Sequence, residues 1–108
     1  MSLKDCQDEV NKWAGQFNPK YWPALEQLAR LAEETGEVAR EINHLHGTKK
    51  RKPDEDEGNL GQELTEVIFT VCCIANNHGI NLQEEWDRIM NEKHYGRDAN
   101  RYERKEEA

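Results

Sequence analysis

Proline is scarce in this chain of 108 residues, occurring only at Pro19, Pro23 and Pro53. A residue that removes a backbone donor and blocks helix interiors is thus kept out of most of the sequence. Cysteine is scarce as well. Cys6, Cys72 and Cys73 make an odd count, two are adjacent and no Cys-x-x-Cys spacing occurs, which excludes a disulfide framework or a cysteine zinc site of the usual pattern. Cys72 and Cys73 lie in an apolar run and are expected to be packed, reduced thiols, as suits a cytoplasmic protein. No apolar run approaches the roughly 20 residues of a membrane span, and no signal-peptide core stands at the N-terminus, so no membrane partner is expected. Positive charge is in deficit: 15 Lys and Arg face 22 Asp and Glu, for a formal net charge of −7. That balance excludes the basic footprint of a nucleic-acid polymer binder. It leaves room for a small anion bridged by a divalent metal.

What the chain does contain is helix-forming material. Charged residues make up 34% and apolar residues 35%, with Glu, Lys, Arg, Leu and Ala abundant. The mean hydropathy is −1.10. The length predicts one domain over 1–108, and so little apolar material predicts an all-α bundle of four to five helices that completes its core by pairing with copies of itself. A first amphipathic helix is expected from about Ser2 to Phe17, with Val10, Trp13 and Phe17 at helical spacing. A second is expected from about Trp22 to Leu45, entered through Pro23 and stopped by Gly47. Residues 48–58 read as a solvated, mobile connector that includes Lys49, Lys50, Arg51 and Lys52. A third helix is expected from about Glu57 to Asn77. Asn81 caps a fourth that starts near Leu82, and a polar tail covers about 98–108. Neither an internal repeat nor a low-complexity segment interrupts this plan.

At about 100° per residue, Leu28, Leu31, Val38, Ile42 and Leu45 share one face of the second helix. Glu33, Glu34, Glu37 and Glu41 fill the adjoining sector. On the third helix Leu60, Leu64, Val67, Ile68, Val71 and Ile74 form the apolar face, bordered by Glu63 and Glu66 in line with Thr70 and Asn77. Each i, i+3 glutamate pair borders an apolar face, so helix packing would bring the pairs together. Like charges at that spacing repel by a few tenths of a kcal/mol, roughly, and more when desolvated. Neither pair contains a basic residue within its motif. A hard dication neutralises such a cluster directly: Mg²⁺ takes carboxylate oxygens and keeps waters for phosphates, and Mn²⁺ suits a similar site. The competing reading is an ordinary solvated acidic face. A di-iron bundle is excluded, because Glu41-x-x-His44 has no second Glu-x-x-His motif to complete it.

Glu33-Glu34-Thr35-Gly36-Glu37, separated by 25 residues from Glu63-Leu64-Thr65-Glu66, resembles the EExxE…ExxD signature of MazG-like nucleotide pyrophosphohydrolases. Tyr21-Trp22-Pro23, Leu28-Ala29-Arg30-Leu31-Ala32 and the stretch from Ala75 to Leu82 are also similar to that family. The similarity runs from about Gln7 to Arg104 and is greatest to its short, stand-alone members. It implies an all-α fold with helices paired between subunits, as a dimer or a tetramer. It implies Mg²⁺-dependent cleavage of nucleoside triphosphates between the α and β phosphorus atoms. By position it makes Glu34, Glu37, Glu63 and Glu66 the metal ligands. Glu33 becomes the residue that orients or deprotonates the attacking water, or holds a second ion. Lys93 and Arg97 match the family's phosphate-contacting cations. The last acidic position is usually Asp, and Glu66 departs from it by one methylene. Trp22, with Tyr21, Phe17 and Trp13, offers rings for stacking on a base, with burial in the core as the competing fate. Wheel position points to Asn77 as a base or sugar contact, and the family's Ala-Asn pair points to Asn76. A non-catalytic dimerisation or nucleotide-sensing module that keeps the fold is the alternative reading.

Overall fold

Three of the four described α-helices begin where a side-chain oxygen replaces the missing backbone partner, and the fourth begins behind a proline. A computed structural model describes residues 1–53 and 58–105. The expected start of the third helix at Glu57, the acidic run before it and the end of the tail lie outside the described residues. Helix α1 spans Leu3–Ala14. The Ser2 hydroxyl accepts the Asp5 amide at 3.1 Å and the Asp5 carboxylate accepts the Ser2 amide at 2.9 Å, a reciprocal capping box. It stops at Gly15, short of the expected Phe17, and the segment through Trp22 is irregular. Helix α2 spans Ala24–His46, entered from Pro23 and closed by Gly47. Helix α3 spans Leu60–Asn77, with the Asn59 side chain accepting the Gln62 amide at 2.9 Å. Gly79, at φ +67°, takes the left-handed turn that follows α3. Helix α4 spans Leu82–Ile89, capped by Asn81, and continues into a wider π-helical segment, Met90–Arg97. No strand occurs among the described residues, and none of the described helices is long and apolar enough to cross a membrane.

Helices α2 and α3 form a hairpin, α1 lies against α3, and α4 lies against α1. The turn after α3 is tied to α1 by a polar network. Gln7 Nε2 donates to Asn76 Oδ1 at 2.9 Å and to the Ile80 carbonyl at 2.7 Å, while Gln7 Oε1 accepts the Leu82 amide at 2.8 Å. Asn76 Nδ2 donates to the Gln7 carbonyl at 2.9 Å and to the Tyr21 hydroxyl at 3.0 Å. Gln7 is buried, so removing Asn76 leaves one of its two side-chain N–H groups desolvated and unpaired. Asn76→Ala is therefore expected to lower stability by about 2 kcal/mol or more, measured by urea denaturation.

The hairpin is folded with its polar side inward. Gln27 of α2 reaches the Cys73 carbonyl at 3.5 Å and accepts from Asn77 at 3.3 Å, and Gln27, Glu41 and Thr70 are all buried. Within the single chain, part of each apolar face is left uncovered. Leu28 and Leu45 of α2 are 59% and 57% exposed, Ile42 45%, and Leu64 and Ile68 of α3 47% and 49%. The physical reason is the choice of seam, since a helix that turns its carboxylates and amides toward its neighbour must turn its leucines away. The accessible surface is 8927 Å², against roughly 6,200 Å² for a compact chain of this mass. The radius of gyration is 18.0 Å, against about 13 Å.

Candidate active site

Glu34, Glu37 and Glu41 follow one another at helical spacing along α2, and Glu63 and Glu66 stand on the neighbouring α3. Glu63 registers the whole group. Its carboxyl is held above the usual carboxylate range by partial burial and then by the charges of Glu37, Glu34, Glu41 and Glu66. Four carboxylates from two helices thus act on a fifth. Glu33 is not one of them and lies exposed on α2.

Arginines answer this charge from just outside the two motifs. Arg30, one turn before Glu34, donates from Nε to Glu34 Oε1 at 2.7 Å and places Nη2 4.0 Å from Glu66 Oε2. Arg40 Nη1 lies 3.7 Å from Glu37 Oε2. The absence of basic residues inside the motifs therefore does not leave the pairs without counter-charge. Arg51 corrects a second expectation. It is not a freely solvated member of the connector but an ion-pair partner of buried Glu41. Gly58 packs on that same carboxylate, in space that a Cβ would need. Both flanks of the connector therefore meet at Glu41.

The donor set is oxygen only, and its placement on two adjacent helices suits a hard dication. Among the described residues, no three carboxylates stand close enough to grip an ion as they are placed. Arg30 and Arg40 occupy Glu34 and Glu37 instead. In chemistry the carboxylates suit a hard dication, and as placed they are held by arginines.

Beside the acidic face lies a cavity of about 220 Å³, walled by Trp13, Phe17, Tyr21, Trp22 and Phe69 with Gln27 at its base. Trp13 meets Phe17 at 5.0 Å and Phe69 at 5.5 Å between ring centroids. Trp13, Phe17 and Trp22 are each about half exposed, so they rim an opening and do not fill a core. Both ends of the Asn76 amide are engaged within the fold, whereas Asn77 touches Gln27 beside the cavity. Lys93 and Arg97 are exposed on the π-helical segment, whose principal contact is α4. Among the described residues neither forms an ion pair with these carboxylates. Glu41 was placed in the acidic sector without a role, and Arg30 and Gln27 were given none. Glu41 continues the acidic stripe one turn beyond Glu37 and Arg30 precedes Glu34 by one turn, so both were visible as spacing. No pattern marked Gln27.

A family model described as the MazG nucleotide pyrophosphohydrolase domain matches residues 24–102, from the first residue of α2 to beyond the π-helical segment. The chain belongs to the MazG nucleotide pyrophosphohydrolase family. It is 44% identical over 106 residues to the uncharacterised protein YpjD of Bacillus subtilis strain 168, covering 98% of this chain and 95% of YpjD. A crystal structure of Bacillus subtilis YpjD, described as a candidate pyrophosphatase, superposes with a TM-score of 0.76 at 42% identity, over 86% of this chain and 95% of that one. A second crystal structure, of a Bacillus-conserved MazG protein described as a nucleotide pyrophosphohydrolase, gives a TM-score of 0.72 at 38% identity, over 85% and 88%. MazG membership makes this protein a hydrolase of acid anhydrides. Both glutamate motifs of the MazG domain fall within the matched span. Helix α1 precedes that span yet supplies Trp13 to the aromatic cavity.

Proposed function

We propose that this MazG chain hydrolyses a nucleoside triphosphate between the α and β phosphorus atoms, with water as the nucleophile and a nucleoside monophosphate and pyrophosphate as products. Glu34, Glu37, Glu63 and Glu66 would hold Mg²⁺, with Mn²⁺ as a substitute. The observation that carries this reading is that Glu34 and Glu37 on α2 and Glu63 and Glu66 on α3 stand on two helices packed against each other, with Arg30 reaching from one set to the other. When bound, the ion supplies charge neutralisation for the phosphates and acidifies water at the reaction centre. Glu33, exposed beside the cluster, accepts the proton of the attacking water or contributes to a second ion. The aromatic cavity receives the base, with Trp22 as the stacking face and Asn77, next to Gln27, as the nearer of the two asparagines.

Lys93 and Arg97 reach the phosphates from a second copy of the chain. This reading is supported by the exposure of both cations on a segment whose principal contact is α4 and by the uncovered leucines of the hairpin. The assembly is then a homodimer or homotetramer. Its three free cysteines suit the reducing cytoplasm.

Incubation of the purified protein with a panel of triphosphates and Mg²⁺ is expected to release pyrophosphate from at least one, and chelation should stop the release. Nucleotide binding without any release would favour instead a sensing or dimerisation module that keeps the fold. Arg30 standing on Glu34 is the observation on that side.

A further inference from the structure

Arg30 stands where the acidic face meets the aromatic cavity. Its guanidinium touches Glu34 at 2.7 Å, lies 4.0 Å from Glu66 on the other helix, and sits 5.8 Å from the centroid of the Trp22 ring. It lines the aromatic cavity and also an adjoining groove of about 580 Å³ that contains Glu66. One cation therefore bridges two carboxylates proposed as metal ligands and covers the ring proposed to take the base.

We propose that Arg30 is an internal counter-ion that a divalent cation must displace from Glu34 and Glu66, and that the displaced guanidinium turns to the nucleotide at Trp22, so that metal and nucleotide reinforce each other's binding. The inference rests on the metal site and base cavity proposed above, and assigns Arg30 a positioning role there.

The chemistry leaves few alternatives for this side chain once an ion arrives. A guanidinium cannot shed its proton, so it can yield the carboxylates only by moving. A cation at hydrogen-bond distance from Glu34 would face a second cation on the same oxygens. The arginine side chain is 36% exposed, and its long stem allows the head to swing while the backbone stays in place. Trp22, half exposed, offers a face for the guanidinium, and a nucleotide phosphate offers it a new anion. Coupling of this kind is reciprocal: whatever the metal does for nucleotide affinity, the nucleotide does for metal affinity.

The test counts free Mn²⁺ by electron paramagnetic resonance as the ion alone is added to wild type and to Arg30→Gln. The variant is expected to bind Mn²⁺ roughly fivefold tighter or more, because the competing cation is gone. Adding Mg²⁺ to the wild type is expected to change tryptophan emission in a way that disappears in Trp22→Phe and in Arg30→Gln. The Michaelis constant for triphosphate in Arg30→Gln is expected to rise by a similar factor. Unchanged or weaker Mn²⁺ binding in a folded Arg30→Gln overturns the role given to Arg30 and leaves the metal site standing. If Arg30→Gln does not fold, Arg30→Lys keeps the charge but loses the planar fork, and about twofold tighter Mn²⁺ binding is expected. Unchanged binding in that variant overturns the proposal too. A wild type that binds no Mn²⁺ and no Mg²⁺ overturns both this inference and the metal site.

Discussion

Glu63→Gln is expected to cut pyrophosphate release by roughly a hundredfold or more while leaving the metal-free protein as stable as before, or more so. The substitution keeps the size and hydrogen-bonding reach of the side chain and removes its charge. Without metal that charge is a liability, because partial burial and the charges of Glu37, Glu34, Glu41 and Glu66 all favour the protonated form. A carboxyl whose folded pKa is raised binds its proton more tightly in the native state than in the unfolded chain. Its contribution to stability is therefore present below the unfolded value and is lost as pH rises through the folded one. Chelated wild type should gain stability on acidification through the carboxylate range, and Glu63→Gln should lack that part of the profile. Thermal melts at a series of pH values in chelator, beside a pyrophosphate assay in Mg²⁺, measure both. A marked loss of stability in the chelated variant would mean that Glu63 supports the fold and has no metal to hold.

The second large effect concerns assembly. Ile42→Asp places a charge in the middle of the uncovered α2 face, where the native side chain is already 45% exposed in the single chain. The helix should therefore survive, while burial of an unpaired carboxylate in an interface costs about 3 kcal/mol or more. That corresponds to more than roughly a hundredfold in association constant. Sedimentation of the variant should show a helical monomer, and turnover should fall with assembly because Lys93 and Arg97 would no longer reach the phosphates. A variant that keeps both the wild-type mass and the wild-type rate would place the interface elsewhere.

Most of the helical plan was legible in the chain itself. Asn81, Pro23 and Gly47 stand within a residue of the ends they mark, because capping is local chemistry that needs no tertiary partner. The end of α1 was overestimated because Trp13 and Phe17 keep helical spacing, although Phe17 belongs to the cavity wall. The π-helical widening after Ile89 adds one residue to the backbone ring without changing the apolar pattern, so it left no trace. The acidic stripes could be read from a wheel, but a wheel shows only which residues share a face. It cannot show which face meets the neighbour, and here the hairpin closed on Gln27, Glu41 and Thr70. Arg51 was unreadable for a related reason. Its partner Glu41 lies ten residues back on another element, beyond the reach of any periodic pattern.

The meeting of Arg51 and Gly58 on the Glu41 carboxylate has a consequence for how the chain tolerates change. A substitution at any one of these three residues is felt at the other two, because a single buried carboxylate holds the guanidinium and leaves no room for a Cβ at Gly58.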